Sequence, residues 1–136
     1  MPSKSRKKLN RDQARDLDIE IAFLEGVVRR DPTYVEALHA LGDDFTRRGR
    51  FEEGLKVDEQ LCRLRPADAL VHYNLACSYS LTERFESAAA ALNRALDLGF
   101  RDFKRLTKDP DLAKLRRHSL YKRIRGRIKM MEIKIH

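Results

Sequence analysis

Apolar residues recur along most of this chain at intervals of three and four positions, the spacing of one face of an α-helix. Leu38, Leu41 and Phe45 follow this spacing, and Ile21, Leu24, Val27 and Val28 follow it earlier in the chain. Runs of β-branched residues are missing, and Ala, Leu, Glu, Lys and Arg dominate, which favours helices over strands. The pattern therefore predicts an all-α protein.

The helical pattern itself repeats: segment 35–68 matches segment 69–102 so that large residues meet large ones and small residues meet small ones. The matched pairs include Leu41 with Leu75, Gly42 with Ala76, Phe45 with Tyr79, Phe51 with Phe85, and Gly54 with Ala88. The length of each segment corresponds to one helix–turn–helix unit. Gly42 and Gly54 are small where two helices must approach closely, and Gly49 falls at the turn.

These two segments resemble tetratricopeptide repeats (TPRs), whose signature is Leu-Gly-x-x-Tyr followed by Ala, Phe, Ala and Pro at set offsets. The resemblance implies an α-solenoid of antiparallel helix pairs, a TPR superhelix, of the short bacterial type with a helical C-terminal cap. The chain departs from the signature where His72 and Leu38 replace a large aromatic residue, and where Phe100 replaces the closing proline. Asp58 also stands where an aromatic residue is common.

The repeat register extends beyond both full units. Pro32 lies one repeat period before Pro66, so segment 15–34 is predicted to be the second helix of a half repeat. Segment 1–14 is rich in Lys and Arg and is predicted to be a flexible basic extension. Segment 103–136 is predicted to be a basic helical cap, with a helix start at Asp109-Pro110 and a last helix beginning near Ser119.

The net charge of +8 is divided unevenly along the chain. Residues 1–15 contain six Lys/Arg and one acid, residues 16–99 contain ten and sixteen, and residues 100–136 contain thirteen and four. The middle is therefore acidic and both ends are basic. The N-terminus lacks the apolar segment of a secretory signal, and no apolar run approaches the roughly 18 to 20 residues that span a bilayer. A cytoplasmic location is expected, and Cys62 and Cys77 are predicted to be small buried hydrophobic residues.

Motifs for catalysis or cofactor binding are missing from the sequence. There is no phosphate-binding glycine loop, no paired-cysteine metal spacing, and no two histidines at i,i+4. His72 lies in the core stripe of its repeat and is predicted to be structural. The chain is expected to be no enzyme and to hold neither a cofactor nor a metal.

The resemblance implies that the first helix of each unit lines a concave groove for a protein or peptide partner. The implied positions are Glu36, His39, Asp43, Thr46 and Arg47, followed by Leu70, Tyr73, Cys77, Ser80 and Leu81, with Asn74 adjacent. We expect a peptide with apolar and basic groups, and we expect alanine at Tyr73 and Leu70 to abolish its capture without unfolding the protein. The alternative is that this face is solvated or covered by the C-terminal segment. A carboxylate clamp like that of some TPR co-chaperones is disfavoured, because Asp43 would repel a carboxylate.

The basic ends support a rival hypothesis, in which the protein contacts nucleic-acid phosphates or another anionic surface. The candidate residues are Lys7, Lys8, Arg123, Arg125 and Arg127. Tyr121 is the only aromatic residue near the last three, which serves base stacking poorly. Membrane binding is disfavoured because the apolar stripe of the last helix is needed to cover the last repeat. A further hypothesis is self-association, with the basic tail of one copy on an acidic surface of another.

Overall fold

The structure, a computed structural model, describes residues 8–135, and within that range it contains only helices, turns and irregular connections. The helices are α1 (Arg11–Arg30), α2 (Val35–Arg47), α3 (Phe51–Leu64), α4 (Ala69–Leu81), α5 (Phe85–Asp97), α6 (Phe103–Lys108), α7 (Ala113–Arg117) and α8 (Tyr121–Ile135), with a 3₁₀ turn at Pro110–Leu112 between α6 and α7. Each of the helices α1 to α4 packs on the next one along the chain. The predicted all-α solenoid is confirmed.

The repeat period is visible in the helix boundaries. Helices α2 and α4 begin and end at equivalent positions of the two repeats, and α3 and α5 begin at equivalent positions. The predicted close approach of helices is also present: a Cβ atom added to Gly42 would lie 3.3 Å from Cγ1 of Val57, and one added to Gly54 would lie 3.2 Å from Oγ1 of Thr46. These two glycines therefore set the distance between α2 and α3.

Helix α1 begins earlier than the sequence indicated. The Asn10 side chain accepts a hydrogen bond from the backbone N–H of Gln13 at 2.8 Å, and the Gln13 side chain accepts one from the N–H of Asn10 at 3.0 Å. This reciprocal cap satisfies two N–H groups that a helix start leaves free, so the helix starts at Arg11 rather than after residue 14. The first seven residues of the predicted extension lie outside the described residues.

The C-terminal segment folds back over α4 and α5. Phe100, Leu106, Leu112 and Leu115 share one core cluster with Tyr73 of α4. Helix α8 covers α5 and α7, where it buries Tyr121, Ile124 and Ile128. Phe100 stands in place of the expected proline, and its ring is buried in this core. None of the described helices combines the length and apolar character needed to cross a membrane.

Cys77 is buried as predicted, whereas Cys62 is only half-buried. His72 is also half-buried, and its Nε2 atom lies 2.8 Å from the carbonyl oxygen of Pro66. The imidazole thereby links α4 to the turn that precedes it, which agrees with a structural role.

The turns between the paired helices differ in backbone strain. Gly49 has φ +82°, and Glu83, its equivalent in the next repeat, has φ +60°, which favours glycine. We expect Glu83→Gly to raise the free energy of unfolding by about 0.5 to 1 kcal/mol, and Gly49→Ala to lower it by about 1 kcal/mol. Urea denaturation would measure both. Glu83→Ala is the control for loss of the exposed contact with Lys114, and a Glu83→Gly variant less stable than Glu83→Ala would contradict the expectation.

Candidate functional site: an acidic recess

An open recess of about 440 Å³ lies between α1, α2, α4 and the start of the C-terminal segment. We call it the acidic recess, because the described residues that line it supply five carboxyl groups and only two guanidinium groups. Its lining comprises Glu20, Ala40, Gly42, Asp43, Asp44, Thr46, Arg47, Asp58, Asn74, Cys77, Ser78, Leu81, Arg105 and Asp111. Such a concave acidic surface attracts cationic groups and repels anionic ones.

The structure brings together only part of the predicted groove. The predicted residues that line the acidic recess are Asp43, Thr46, Arg47, Asn74, Cys77 and Leu81. The other five lie outside its lining: Tyr73 and Ser80 are buried, Glu36 is exposed, His39 is half-buried and Leu70 is 43% exposed. The recess is therefore centred on the second half of α2 and the middle of α4.

Tyr73 requires a correction, because it is fully buried rather than an exposed anchor for a partner. Its ring stacks on Phe100 at a centroid distance of 4.2 Å, and the guanidinium group of Arg105 lies 4.7 Å from the centroid of the same ring. Its hydroxyl donates a hydrogen bond of 2.7 Å to Asp109. The C-terminal segment thus occupies the surface that the repeat pattern assigned to a partner.

Ser80 and Cys77 are covered by the same segment. The Ser80 hydroxyl accepts a hydrogen bond from the backbone N–H of Leu115 at 3.2 Å, and its side chain is completely buried. Cys77 has only 6% of its surface exposed, and burial raises the pKa of its thiol well above the usual range. Burial thus disfavours the thiolate, which is the reactive form of a cysteine.

Cys77, Asp109 and Asp111 place ligand-type atoms within 4.8 Å of one another. Capping explains this convergence: the Asp109 side chain accepts a hydrogen bond from the N–H of Asp111 at 3.0 Å and another from Tyr73. The predicted helix start at Asp109-Pro110 is confirmed as the start of the 3₁₀ turn. The Asp109 carboxylate thus holds the turn against α4.

Asp58 is a buried carboxyl group at the floor of the acidic recess. Its equivalents in the repeat register are Leu24 and Leu92, so it stands at a core position. The hydroxyl of Ser78 donates a hydrogen bond to it. Burial raises the pKa of Asp58 to about 7, against the smaller opposing effect of the Ser78 hydrogen bond.

Asp44 is the register equivalent of Ser78, but it lacks the corresponding partner. The residue that would face it is Leu24, which has no donor. Only 4% of Asp44 is exposed, and its Oδ2 atom has no hydrogen-bond partner among the described residues. Burial, followed by a side-chain hydrogen bond with the Glu20 carboxyl group and by the charge of that group, raises the pKa of Asp44 to about 6.

Glu20 and Asp44 are absent from the predicted site, although the repeat register contains a signal for each. Glu20 is equivalent to Gly54 and Ala88, positions where a small residue permits the paired helix to pack. Helix α1 corresponds to the predicted second helix of a half repeat. A glutamate at this position indicates that no preceding helix of the same unit packs against α1 here, so the Glu20 side chain can face the recess. Asp44 lies on the buried face of α2, where a carboxyl group without a partner costs free energy.

The residues predicted to contact phosphate at the basic ends differ in their exposure and in their contacts within the chain. Lys8, Arg123 and Arg125 are exposed, although the Arg125 guanidinium lies 5.3 Å from the centroid of the Tyr121 ring. Lys7 lies outside the described residues. Arg127 is half-buried: its guanidinium bonds to Asn93 and pairs with Asp97, so it fastens α8 to α5.

No family model matches the chain. Over 79 residues the chain is 37% identical to a chloroplastic protein of Arabidopsis thaliana. That match covers 56% of this chain and only 24% of the plant protein, so the chain spans a small part of that relative's length.

Among solved structures, the chain is similar to one described as "MamA RS-1 ArsTM double mutant", with a TM-score of 0.69 and 22% sequence identity. The alignment covers 88% of this chain and 66% of that one. Since the similarity extends over α-helical repeats and the sequence identity is low, it establishes the architecture: the chain has the fold of a TPR-type helical solenoid.

Proposed function

We propose that this protein is a non-catalytic interaction module that holds a segment of a partner protein in the acidic recess. The observation that carries the proposal is the open recess between the helices of a helical-repeat fold, lined by carboxyl groups from separate parts of the chain. Helical-repeat proteins use such concave surfaces for binding. A solenoid fold by itself names no partner, so the chemistry of the recess must select it.

The charge of the recess favours a partner segment with basic side chains. Asp43 is exposed at its edge, where it can attract a cation at little desolvation cost. Asn74 is half-buried and offers an amide that can bond a peptide backbone. Leu81 adds an apolar contact at the other end. The combination fits an extended or helical segment with both basic and apolar groups.

A pair of charge reversals on α2 tests this proposal. Asp43 and Glu36 are both exposed and both lie on α2, but only Asp43 lines the recess. We expect Asp43→Arg to weaken partner capture at least ten-fold, because it places a cation against basic groups of the partner. We expect Glu36→Arg to have less than a two-fold effect. Capture from an extract of the producing cells, quantified by mass spectrometry, measures both.

The same capture distinguishes the rival role of the basic ends. It is performed with nuclease and at about 0.5 M salt, conditions under which phosphate-driven binding falls steeply. A photo-cross-linking residue at Asn74 should then attach to the captured protein, whereas one at Glu86, which is exposed on α5, should not. Equal loss of capture in both α2 variants, or recovery of nucleic acid alone, would refute groove binding.

A further inference from the structure

Asp44 presents a buried acceptor beside the carboxyl group of Glu20, with which it can bond only if one of the two carboxyl groups carries a proton. Its Oδ2 atom lacks a hydrogen-bond partner in the described part of the chain although only 4% of the residue is exposed. A buried polar atom left unpaired costs free energy, and such atoms are rare in folded proteins. Asp44 lines the acidic recess, so a donor that enters from solvent can reach it.

We propose that Asp44 and Glu20 form a receptor for the guanidinium group of an arginine side chain in the partner segment. The inference rests on the proposed function and names the group that the recess recognises. Glu20 is exposed on α1 and lines the same recess as Asp44, so an entering cation would contact both carboxyl groups. The two residues come from adjacent helices that pack on each other, which fixes the spacing of the receptor.

The chemistry of the two carboxyl groups favours arginine over other cations. A guanidinium group carries five N–H donors in a planar fork and has no acceptor, so it can bond both carboxylates at once. Lysine supplies a compact, strongly hydrated charge that loses more hydration on entry. Among the described residues, the one group of three side chains close enough to share a metal ion is Cys77, Asp109 and Asp111. Asp44 and Glu20 offer a divalent ion only two carboxylates, fewer than such an ion prefers.

Arg47, the arginine whose charge acts on Asp44, does not fill the receptor. Arg47 lines the recess and its charge lowers the pKa of Asp44, but it is exposed and leaves the Oδ2 atom unpaired. The partner's arginine would therefore compete with Arg47 for the same charge. Arg47→Gln should strengthen the binding of an arginine probe, because it removes a competing guanidinium group from the recess.

The probe is the tripeptide acetyl-Ala-Arg-Ala-amide, titrated into the ¹⁵N-labelled full chain and followed by NMR at pH 7.5. Matched probes contain lysine or citrulline, which is the uncharged isostere of arginine. We expect shifts of the backbone amides of Glu20, Asp43 and Asp44 with the arginine probe, at least ten-fold weaker binding of the citrulline probe, and intermediate binding of the lysine probe.

Three variants locate the receptor. Glu20→Gln and Asp44→Asn should each weaken the arginine probe at least five-fold, whereas Glu36→Gln, on the same helix as Asp44 but outside the recess, should not change it. Glu20 is exposed, so its variant keeps the inference testable if Asp44→Asn fails to fold.

Equal binding of arginine and citrulline probes, shifts confined to other residues, or identical shifts with CaCl₂ alone would overturn the inference. A second structural explanation is that Asp44 and Glu20 share a proton; absence of probe binding together with a more stable Glu20→Gln variant would support that explanation and overturn ours.

If Asp43→Arg abolishes partner capture while the arginine probe fails to bind, only the receptor fails. If capture is unaffected by groove variants, the proposed function fails.

Discussion

Alanine at Tyr73 should lower the free energy of unfolding by about 3 to 5 kcal/mol, the range for removal of a large buried aromatic side chain. The whole side chain is buried and its ring stacks on Phe100 with an interplanar angle of 7°. Its hydroxyl also anchors the Asp109 cap. Loss of the ring therefore leaves a cavity between α4 and the C-terminal segment. Urea denaturation followed by circular dichroism measures the effect.

Two controls separate the ring from the hydroxyl and from surface effects. Tyr73→Phe keeps the ring and removes only the hydrogen bond to a carboxylate, so we expect a loss of about 1.5 to 3 kcal/mol. Leu70→Ala changes an exposed side chain on the same helix and should stay within about 0.5 kcal/mol of the wild type. A Tyr73→Ala variant as stable as Leu70→Ala would show that the C-terminal segment does not cover α4 in solution.

Replacing Asp58 with asparagine should make the stability of the protein less dependent on pH. The usual pKa of this carboxyl group is 3.8, and burial raises the folded-state pKa to about 7. The folded protein therefore binds a proton more tightly than the unfolded chain, and the free energy of unfolding falls as pH rises from about 4 to about 7. At about 1.4 kcal/mol for each pKa unit, the free energy of unfolding has fallen by at most about 4 kcal/mol once the pH exceeds 7.

Asparagine has the same shape, can still accept the Ser78 hydrogen bond, and has no charge to bury. We therefore expect the variant to match the wild type near pH 4 and to be more stable by a few kcal/mol at pH 8. Urea denaturation at several pH values between 4 and 8.5 tests this. Asp44, whose pKa is about 6, keeps part of the pH dependence in the variant. A difference between the proteins that is constant across pH would contradict the explanation.

The repeat register predicted the helix pairs well because their packing is local. The two helices of each unit contact each other across one turn, so Gly42, Gly49 and Gly54 already indicate where helices approach and where the chain reverses. The turn at Glu83 and the cap at Asp109 are also local and could be located from sequence. Helix α1 was predicted to start too late because the basic residues around its first turn concealed the cap at Asn10.

The candidate site was only partly predictable, since its residues come from segments far apart in the chain. Glu20 and Asp44 lie on different helices, and neither belongs to a known motif. Their proximity depends on how α1 packs on α2, which the repeat pattern does not specify for an incomplete unit. Similarly, the repeat register assigned Tyr73 to an open groove because it describes an array of identical units and contains no information about a segment that folds back.

The sequence by itself determined the helical class, the repeated helix–turn–helix unit and the acidic middle of the chain, because each follows from local spacing or composition. The tertiary structure decided which surface remains open. Phe100, Leu112 and Leu115 bury their side chains against α4, since a shared core is the most favourable place for them. That packing closes the groove over Tyr73 and leaves the acidic recess beside Asp44 accessible to solvent.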